Sequence, residues 1–447
     1  MITLYHRPKT RSSRFIFLLE ELGAPYEIKV VTTRMRDGSG GVDPANPHPH
    51  GKVPAISDDG VIVFETATMG AEADALRADG FNVIGGSEFA DRLEQDRAFG
   101  QRIMRDVGMQ TAPNHAFDHF SDAIDFVKRH PGRYVYKLSD AAAASTRNYV
   151  GVLNDGADLI GVLNMEIARY AGRPDPPFVL MNHLSGVEVG IGAYFDGEKF
   201  LEPACIDWEH KRFFPGDMGE LTGEMGTVVS YCHSKNLFAQ TLNRIGEHLR
   251  HAGHHGYLNI NTIVNEDGVW PLEFTCRFGY PGFAICDALH VEGWDSILMK
   301  MAKGGSRHIA TRPGFAVGVV LTVPPFPYEY GYAELSRGSP IFFAQGSHAH
   351  DDAFHLGEME MLGDQWVASG SLGYIMVITA TGESIHSAQR SAYRHCENVV
   401  VANGRYRNDI GEKLMRQDLR YLSRLGWLDA DANVDQLIGN STSNSAR

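Results

Sequence analysis

The sequence predicts a multidomain chain of mixed α/β and α+β class: an N-terminal α/β unit, a body of two β-rich lobes and a C-terminal β-rich domain. Three observations predict this. The length, 447 residues, suits two to four domains. Hydrophobic residues make up 43% and charged residues 21%, the balance of a globular chain with sizeable cores. Strand-like apolar runs alternate with helix-period segments from the start and dominate the second half.

Residues 1–68 form the first unit. MITLYH reads as a short strand, and SSRFIFLLEEL (12–22) as a helix ending at Gly23. YEIKVV is a second strand, and a polar Gly/Pro/His loop runs from Asp37 to His50. KVPAISDDG and VIVFET are two short strands around an Asp-Gly turn. The order is that of a thioredoxin-like half. Its segments LYHRPKTRSSRFIFLLEELG, HGKVPAI and FET resemble the N-terminal domain of glutathione transferases. The resemblance implies a cis Val53-Pro54 bond facing glutathione and a Glu65-Thr66 pair holding its γ-glutamyl end. It places the hydroxyl near the first helix at Thr10, Ser12 or Ser13. The helical second domain that completes a transferase site does not follow, which implies weak or absent glutathione binding.

Residues 69–114 read as a remnant strand and linking helix. GAEADALRADGFNVIGG is a helix, Gly80 and a short strand; SEFADRLEQDRAFGQRIMRDVG is one long amphipathic helix with Ser87 as N-cap. Residues 115–305 carry the two lobes, around 115–185 and 186–300. RYVYKLSD, PFVLMNHL and EVGIGAYFDG are strands, FAQTLNRIGEHLRH is helical, and GYLNINTIVNEDGVWPLEF is a hairpin with a turn at Asp267-Gly268. Residues 306–428 form the C-terminal domain, from FAVGVVLTV to the helix SIHSAQRSAYRHCENV, and 429–447 a polar tail expected to be disordered.

The net charge of -14 argues against a general nucleic-acid binder, because phosphate backbones need clustered Lys and Arg. Five scattered cysteines without a CxxC pair suggest a reduced, cytoplasmic chain without a disulfide framework or zinc site. No apolar run approaches the roughly 20 residues of a membrane span. The expected partners are small molecules, with neither nucleic acid nor membrane, and the expected assembly is a monomer or homodimer.

The chemistry lies in motifs that fall in a fixed order: Lys137 at the end of YVYK, Glu188 opening EVGIGAYFDG, EHKRFFPGDMGELTGEMG, PLEFTCRFGYPG and RYRNDIGEKL. Joining a carboxylate to an amine in water needs an activated acyl group, which ATP supplies. A strand lysine can reach its phosphates, strand-end carboxylates can hold Mg²⁺ against them, and a Gly-rich turn offers backbone N–H groups. An adjacent arginine can clamp a substrate phosphate or carboxylate. The bland alternative for Glu273 and Arg277 is an edge strand with a surface ion pair.

With these motifs, residues 70–425 resemble the phosphoribosylamine–glycine ligases, ATP-grasp enzymes of purine synthesis. The family's DHKR…DxGPNTGGMG reads here as EHKRFFPGDMGELTGEMG, and its LEFNxRFGDPE as LEFTCRFGYPG; its AxxxAY and YRxDIG are matched by SAQRSAYRHC and YRNDIG. The resemblance implies ATP and Mg²⁺ (or Mn²⁺) as cofactors, with an amine and an amino acid such as glycine as substrates. It implies Glu273 and Thr275 as metal ligands, and Lys137, Glu188 and Arg147 on the nucleotide. His210, Arg212, Thr222, Gly223 and Arg277 would bind substrate, with Arg277, Lys211 and Asp217 catalytic. Asp409 is expected to brace the C-terminal unit, and Trp270 and Phe274 to be core.

The departures concern activity. Thr275 replaces the family's metal-binding Asn, and Tyr280 and Gly282 replace two acids of GDPE. The phosphate-covering loop, SDAAAASTRNYVG, has no glycine before Gly151 and only Arg147 as a nearby cation. The paired acids expected before Glu188 read MNHL, and the family's N-terminal domain is reduced to GAEADALRADGFNVIGG, with the transferase-like unit in its place. These changes leave open a different amine or amino acid, or a degenerate scaffold carrying a glutathione-binding-like module.

Overall fold

The computed structural model describes residues 2–6, 26–32, 43–45, 55–58, 61–64, 66–138, 147–344 and 346–439. The expected first helix, Thr10, Ser12, Ser13, the Val53-Pro54 bond, Glu65, most of the 139–148 loop and the end of the tail lie outside these residues.

In the first unit, β1 (Ile2–His6) pairs parallel with β2 (Tyr26–Val30) and antiparallel with β3 (Ala55–Asp58). β3 continues antiparallel to β4 (Val61–Val63), and β5 (Asn82–Ile84) adds parallel to β4. A parallel neighbour needs a crossover, and the helix Gly70–Ala78 supplies it. The expected border at 68/69 therefore runs through a single sheet of order β2-β1-β3-β4-β5. Its Val61 and Ile84 pack with Trp294, Ile297 and Met301 of the helix Trp294–Lys303.

The first lobe is an antiparallel sheet of order β6-β9-β7-β8, made by β6 (Asn114–Phe117), β7 (Tyr134–Leu138), β8 (Tyr149–Val150) and β9 (Phe178–Asn182). The helices Phe120–Arg129 and Ala157–Arg169 close a core of Phe120, Tyr136, Leu163 and Phe178. Burial alternates along YVYKL, so Tyr136 enters this core while Lys137 points from the other face.

The second lobe and the C-terminal domain share one eight-stranded sheet of order β16-β15-β10-β11-β14-β17-β22-β19. Its strands are β10 (Val187–Asp196), β11 (Cys205–Glu209), β14 (Gly226–Ser230), β15 (His255–Asn265), β16 (Gly268–Thr275), β17 (Phe315–Thr322), β19 (Phe354–Leu356) and β22 (Tyr374–Gly382). Between β11 and β14 stands a hairpin of β12 (Arg212–Phe214) and β13 (Met218–Leu221). Two further small sheets pair β18 (Ile341–Phe343) with β23 (Val399–Val401), and β20 (Met359–Leu362) with β21 (Gln365–Ala368). Because β14 pairs with β17, the expected border at 305/306 is crossed by the sheet as well. FAVGVVLT is buried along its whole length, as its unbroken apolar run requires of a strand covered on both faces. Gly318 admits Ile285 on one side, where a Cβ would clash with the isoleucine.

The expected long helix after Ser87 is two helices, Glu88–Gln95 and Arg97–Asp106. Ser87 caps the first, as its sequence position suggested, by accepting from Ala90 N. Asp96 ends that helix and restarts the next, its carboxylate accepting from Phe99 N at 3.0 Å. The pair covers β16, the outermost strand of the large sheet. Gln101 Nε2 donates to the Leu272 carbonyl (3.0 Å), and Glu94 accepts from Cys276 N (2.7 Å). The expected helix over 238–251 is likewise interrupted, into Lys235–Gln240, a tighter turn Leu242–Ile245 and Gly246–His251. Among the described residues no helix is long and apolar enough to cross a membrane.

Candidate active site

The site forms where β7 of the first lobe faces the β15–β16 hairpin. That hairpin carries a bulge: Asn261 lies opposite Glu273, but Thr262 lies opposite Pro271. The extra residue shifts the alternation, so that Glu273 and Thr275 share a face with Asn259 and Asn261. On β10, glycines at alternate positions leave the space that larger residues would fill. A Cβ at Gly190 would strike the Asp207 carboxylate, and one at Gly192 the Tyr257 hydroxyl.

A cavity of about 220 Å³ lies against this face, bounded by Glu209, Lys211, Gly223, Glu273, Thr275 and Arg277. Charged side chains meet around Glu273 and Lys211 of this lining. Lys137 Nζ lies 3.3 Å from Glu273 Oε2, and Arg97 Nη2 lies 3.2 Å from the same oxygen. Lys137 holds Glu273 down at about 2, with Arg97 helping against burial. Burial lowers the Lys137 pKa, with Glu273 opposing. Lys211 Nζ contacts Glu188 at 2.7 Å and Glu209 at 3.1 Å. Burial works against its charge, but Glu188 and Glu209 outweigh it and keep the ammonium firmly protonated.

Asn261 Nδ2 donates to Glu209 Oε2 at 3.0 Å, which fixes the amide and leaves its buried Oδ1 without a hydrogen-bond partner among the described residues. The Asn261 carbonyl, the ionised Glu273 and the Thr275 hydroxyl are hard oxygen donors on one wall, a set that fits a divalent cation. Arg277 also lines the cavity, but its partner is Glu94, to which its Nε donates at 3.1 Å.

The structure thus brings together Lys137, Glu188, Lys211, Glu273, Thr275, Arg277 and Gly223 of the expected residues. It places others elsewhere. Arg147 pairs with Glu166 (2.6 Å) and donates to the Tyr170 hydroxyl (2.9 Å) inside the first lobe. Asp217 pairs with the buried Arg407 (2.9 Å), which also binds Asp409 (2.8 Å) and the Arg212 carbonyl (3.0 Å). Arg212 itself donates to the Gly219 carbonyl at 2.6 Å across its own hairpin. His210 Nε2 accepts from Gly411 N at 3.1 Å; burial first, then Arg407, pushes it down to about 4, so it stays neutral. Thr222 donates to the Lys211 carbonyl at 2.8 Å. His210, Asp217 and the Arg212 carbonyl thus fasten the β12–β13 hairpin to the C-terminal segment, and neither they nor Thr222 and Arg147 line the cavity. Asp409 braces that segment, accepting from Gly216 N at 2.8 Å. Phe274 is core, while Trp270 is half-buried with its indole N–H on Asn265 Oδ1 (3.0 Å).

Sequence reasoning missed Arg97, Asp207, Glu209, Glu224, Asn259 and Asn261. Alternation was a usable signal: Asp207 and Glu209, like Asn259 and Asn261, are polar residues two apart in otherwise apolar strands. Glu224 stands where the TGGMG of the quoted motif carries its second glycine.

Residues 95–283 match the family model of the phosphoribosylglycinamide synthetase ATP-grasp (A) domain. A phosphoribosylamine–glycine ligase of Thermotoga maritima superposes with a TM-score of 0.66 at 20% identity, over 90% of this chain and 97% of that one. The fold is an ATP-grasp fold. A phosphoribosylamine–glycine ligase of Neisseria meningitidis serogroup B is 25% identical over 356 residues, 77% of this chain and 81% of its own. The trifunctional purine biosynthetic protein adenosine-3 of Chironomus tentans is 27% identical over 398 residues; that stretch is 83% of this chain but 27% of that much longer protein. The likeness to these relatives thus extends well beyond the residues that match the ATP-grasp model. Nearly all of the Thermotoga fold is matched, so the five-stranded unit stands where an N-terminal domain had been expected to be reduced to a helix and strand.

Proposed function

We propose that this chain is an ATP-dependent carboxylate–amine ligase that forms an amide through an acyl phosphate, as a relative of the phosphoribosylamine–glycine ligases of purine nucleotide biosynthesis. The observation that carries the proposal is the meeting of Lys137, from one lobe, with Glu273, from the other, beside the cavity that Glu273 lines. A cation able to hold phosphate thereby sits beside a wall of oxygen donors able to hold metal.

Lys137 and Arg97 leave Glu273 to bind the phosphates of ATP as point charge and fork. Glu273, Asn261 and Thr275 would hold Mg²⁺, which would screen the charge of the phosphates. The substrate carboxylate attacks the γ-phosphorus and ADP leaves; the amine nitrogen then attacks the acyl carbon, phosphate leaves, and the nitrogen loses a proton. Lys211, held protonated by Glu188 and Glu209, supplies a fixed positive charge to the transferred phosphoryl group. Gly223 offers its backbone at the same wall. Arg277 exchanges Glu94 for a carboxylate or phosphate of the substrate. Release of ADP from ATP and Mg²⁺ in the presence of glycine and phosphoribosylamine, generated in place, tests the reading. No ADP above the background of either substrate alone would reject that substrate pair; no Mg²⁺-dependent binding of an ATP analogue would reject the ligase itself.

A second reading, the same chemistry with another amine or amino acid, is favoured by Tyr280 and Gly282, which line the cavity where two acids were expected.

A further inference from the structure

Two segments far apart in sequence bring three metal-type ligands together away from the cavity. The loop that follows β14 carries His233, and the turn between the helices Leu419–Arg424 and Val434–Ile438 carries Asp429 and Asp431. One ligand atom from each, an imidazole nitrogen and two carboxylate oxygens, lies within 4.8 Å of the other two. None of the three residues lines the cavity of the candidate active site. Metal-ligand spacing in the sequence does not reveal this set, because two distant segments supply it.

Both segments are fixed by hydrogen bonds of their own. In the loop, Cys232 N donates to Ser230 Oγ at 3.1 Å, and Ser230 Oγ donates to the Gly314 carbonyl at 2.8 Å. In the turn, Ala432 N donates to the Asp429 carbonyl at 3.0 Å. Asn236 Nδ2 donates to the Gly426 carbonyl at 3.2 Å and ties one segment to the other. The ligands are thus positioned before any ion arrives, which lowers the cost of binding one.

The His233 ring is the deciding group. Its Nδ1 is shielded from solvent and has no hydrogen-bond partner among the described residues. Asp429 Oδ2 comes within 3.3 Å of it but is not aligned to accept a hydrogen bond. A shielded nitrogen facing a carboxylate without a hydrogen bond is costly unless something satisfies both. A cation does so. Ligands about 2.1 Å from a tetrahedrally held zinc ion stand about 3.4 Å from one another, close to the spacing found here. One imidazole and two carboxylates form a mixed N/O set, which suits zinc and its first-row neighbours better than Mg²⁺ or Ca²⁺. Asp431 is exposed and gives the ion a way in from solvent.

We propose that His233, Asp429 and Asp431 form a zinc-type divalent-cation site that clips the C-terminal helices to the loop after β14. Water completes the coordination. The ion cross-links two distant segments and stabilises the folded chain, because only that state assembles the three ligands. The site is independent of the ligase reading and of the Mg²⁺ ligands around Glu273.

The test is a calorimetric titration of Zn²⁺ into the full chain after chelator treatment, paired with melting curves. Glu273→Ala, which removes a ligand of the candidate active site, serves as the control for zinc bound there. The wild type and Glu273→Ala should each bind one zinc equivalent that His233→Asn loses, and Zn²⁺ should raise the melting temperature of the first two only. Asparagine suits position 233 because the backbone there has a φ of 60°, a conformation that asparagine tolerates. Asp431→Asn, at an exposed position, keeps the test open should His233→Asn fail to fold, and it should weaken zinc binding about tenfold or more. A zinc equivalent and melting shift that survive these substitutions overturn the site. So does a wild type that binds zinc no tighter than about 1 mM, the behaviour of an adventitious surface cluster. Loss of the zinc equivalent in Glu273→Ala would place the ion at the candidate active site and overturn the clip as well.

Discussion

Glu273 and Arg277 stand four residues apart on one stretch of chain and take opposite partners, two cations for the glutamate and Glu94 for the arginine. Their substitutions should separate accordingly. Glu273→Ala should abolish turnover and remove the Mg²⁺-dependent part of the stabilisation by an ATP analogue, read as a melting shift with and without metal. Arg277→Ala should leave that shift intact and raise the KM for the substrate it clamps, by roughly 1.5–3 kcal/mol of lost charged hydrogen bonding in steady-state kinetics. Asp207 gives a pH signature. Burial, with Glu209 adding repulsion, raises its native pKa to about 8, above the carboxylate range of the unfolded chain. Between about pH 4 and 8 the native state therefore holds a proton that the unfolded state has lost, and stability falls as pH rises, by up to about 1.4 kcal/mol per pH unit. Asp207→Asn should flatten the melting temperature across that window; an unchanged slope would mean the acid is ionised in the folded protein.

At the scale of elements, sequence patterns located strands and helices well but misjudged their interruptions. SEFADRLEQDRAFGQRIMRD is amphipathic throughout, so periodicity alone joins what Asp96 divides. The break matters because Arg97 is the first residue after it. Asp96→Ala should cost about 0.5–2 kcal/mol through the lost cap and should also weaken nucleotide binding, since the next residue reaches the site. The bulge beside Glu273 was equally invisible, because strand parity cannot reveal an inserted residue that only the partner strand exposes. The EHKR and GDMGELTGEMG segments were readable as important, but their division of labour was not. Lys211 lines the cavity, whereas His210 and Asp217 turn toward Arg407 and the C-terminal segment, which lies about 190 residues away in sequence, and Arg212 stays on its own hairpin. Arg407→Ala leaves Asp217 and Asp409 without their buried partner and should destabilise the chain by about 3–5 kcal/mol in denaturant titration.

At the scale of the molecule, the ordered motifs led to an expectation of two lobes and a C-terminal domain, and the expected borders at 68/69 and 305/306 fall within sheets. Strand pairing between distant segments leaves no local mark, so the joining of β14 to β17 and of β4 to β5 had to be seen. A chain ended at residue 305 would expose the unpaired edge of β14 and lose the cover of the helix Ile385–Glu397; it should be insoluble or aggregated in size-exclusion chromatography, while a separable domain would elute as a monomer. The helix pair from Glu88 to Asp106 has a further consequence. It shields the outer strand β16 through Gln101 and Glu94, and it also delivers Arg97 to Glu273 of the candidate site. Solubility and activity are therefore inherited together through one short segment. Variation there is screened twice in each generation, and a change that tunes the chemistry by moving this segment also risks opening a sticky edge to every neighbouring copy of the chain.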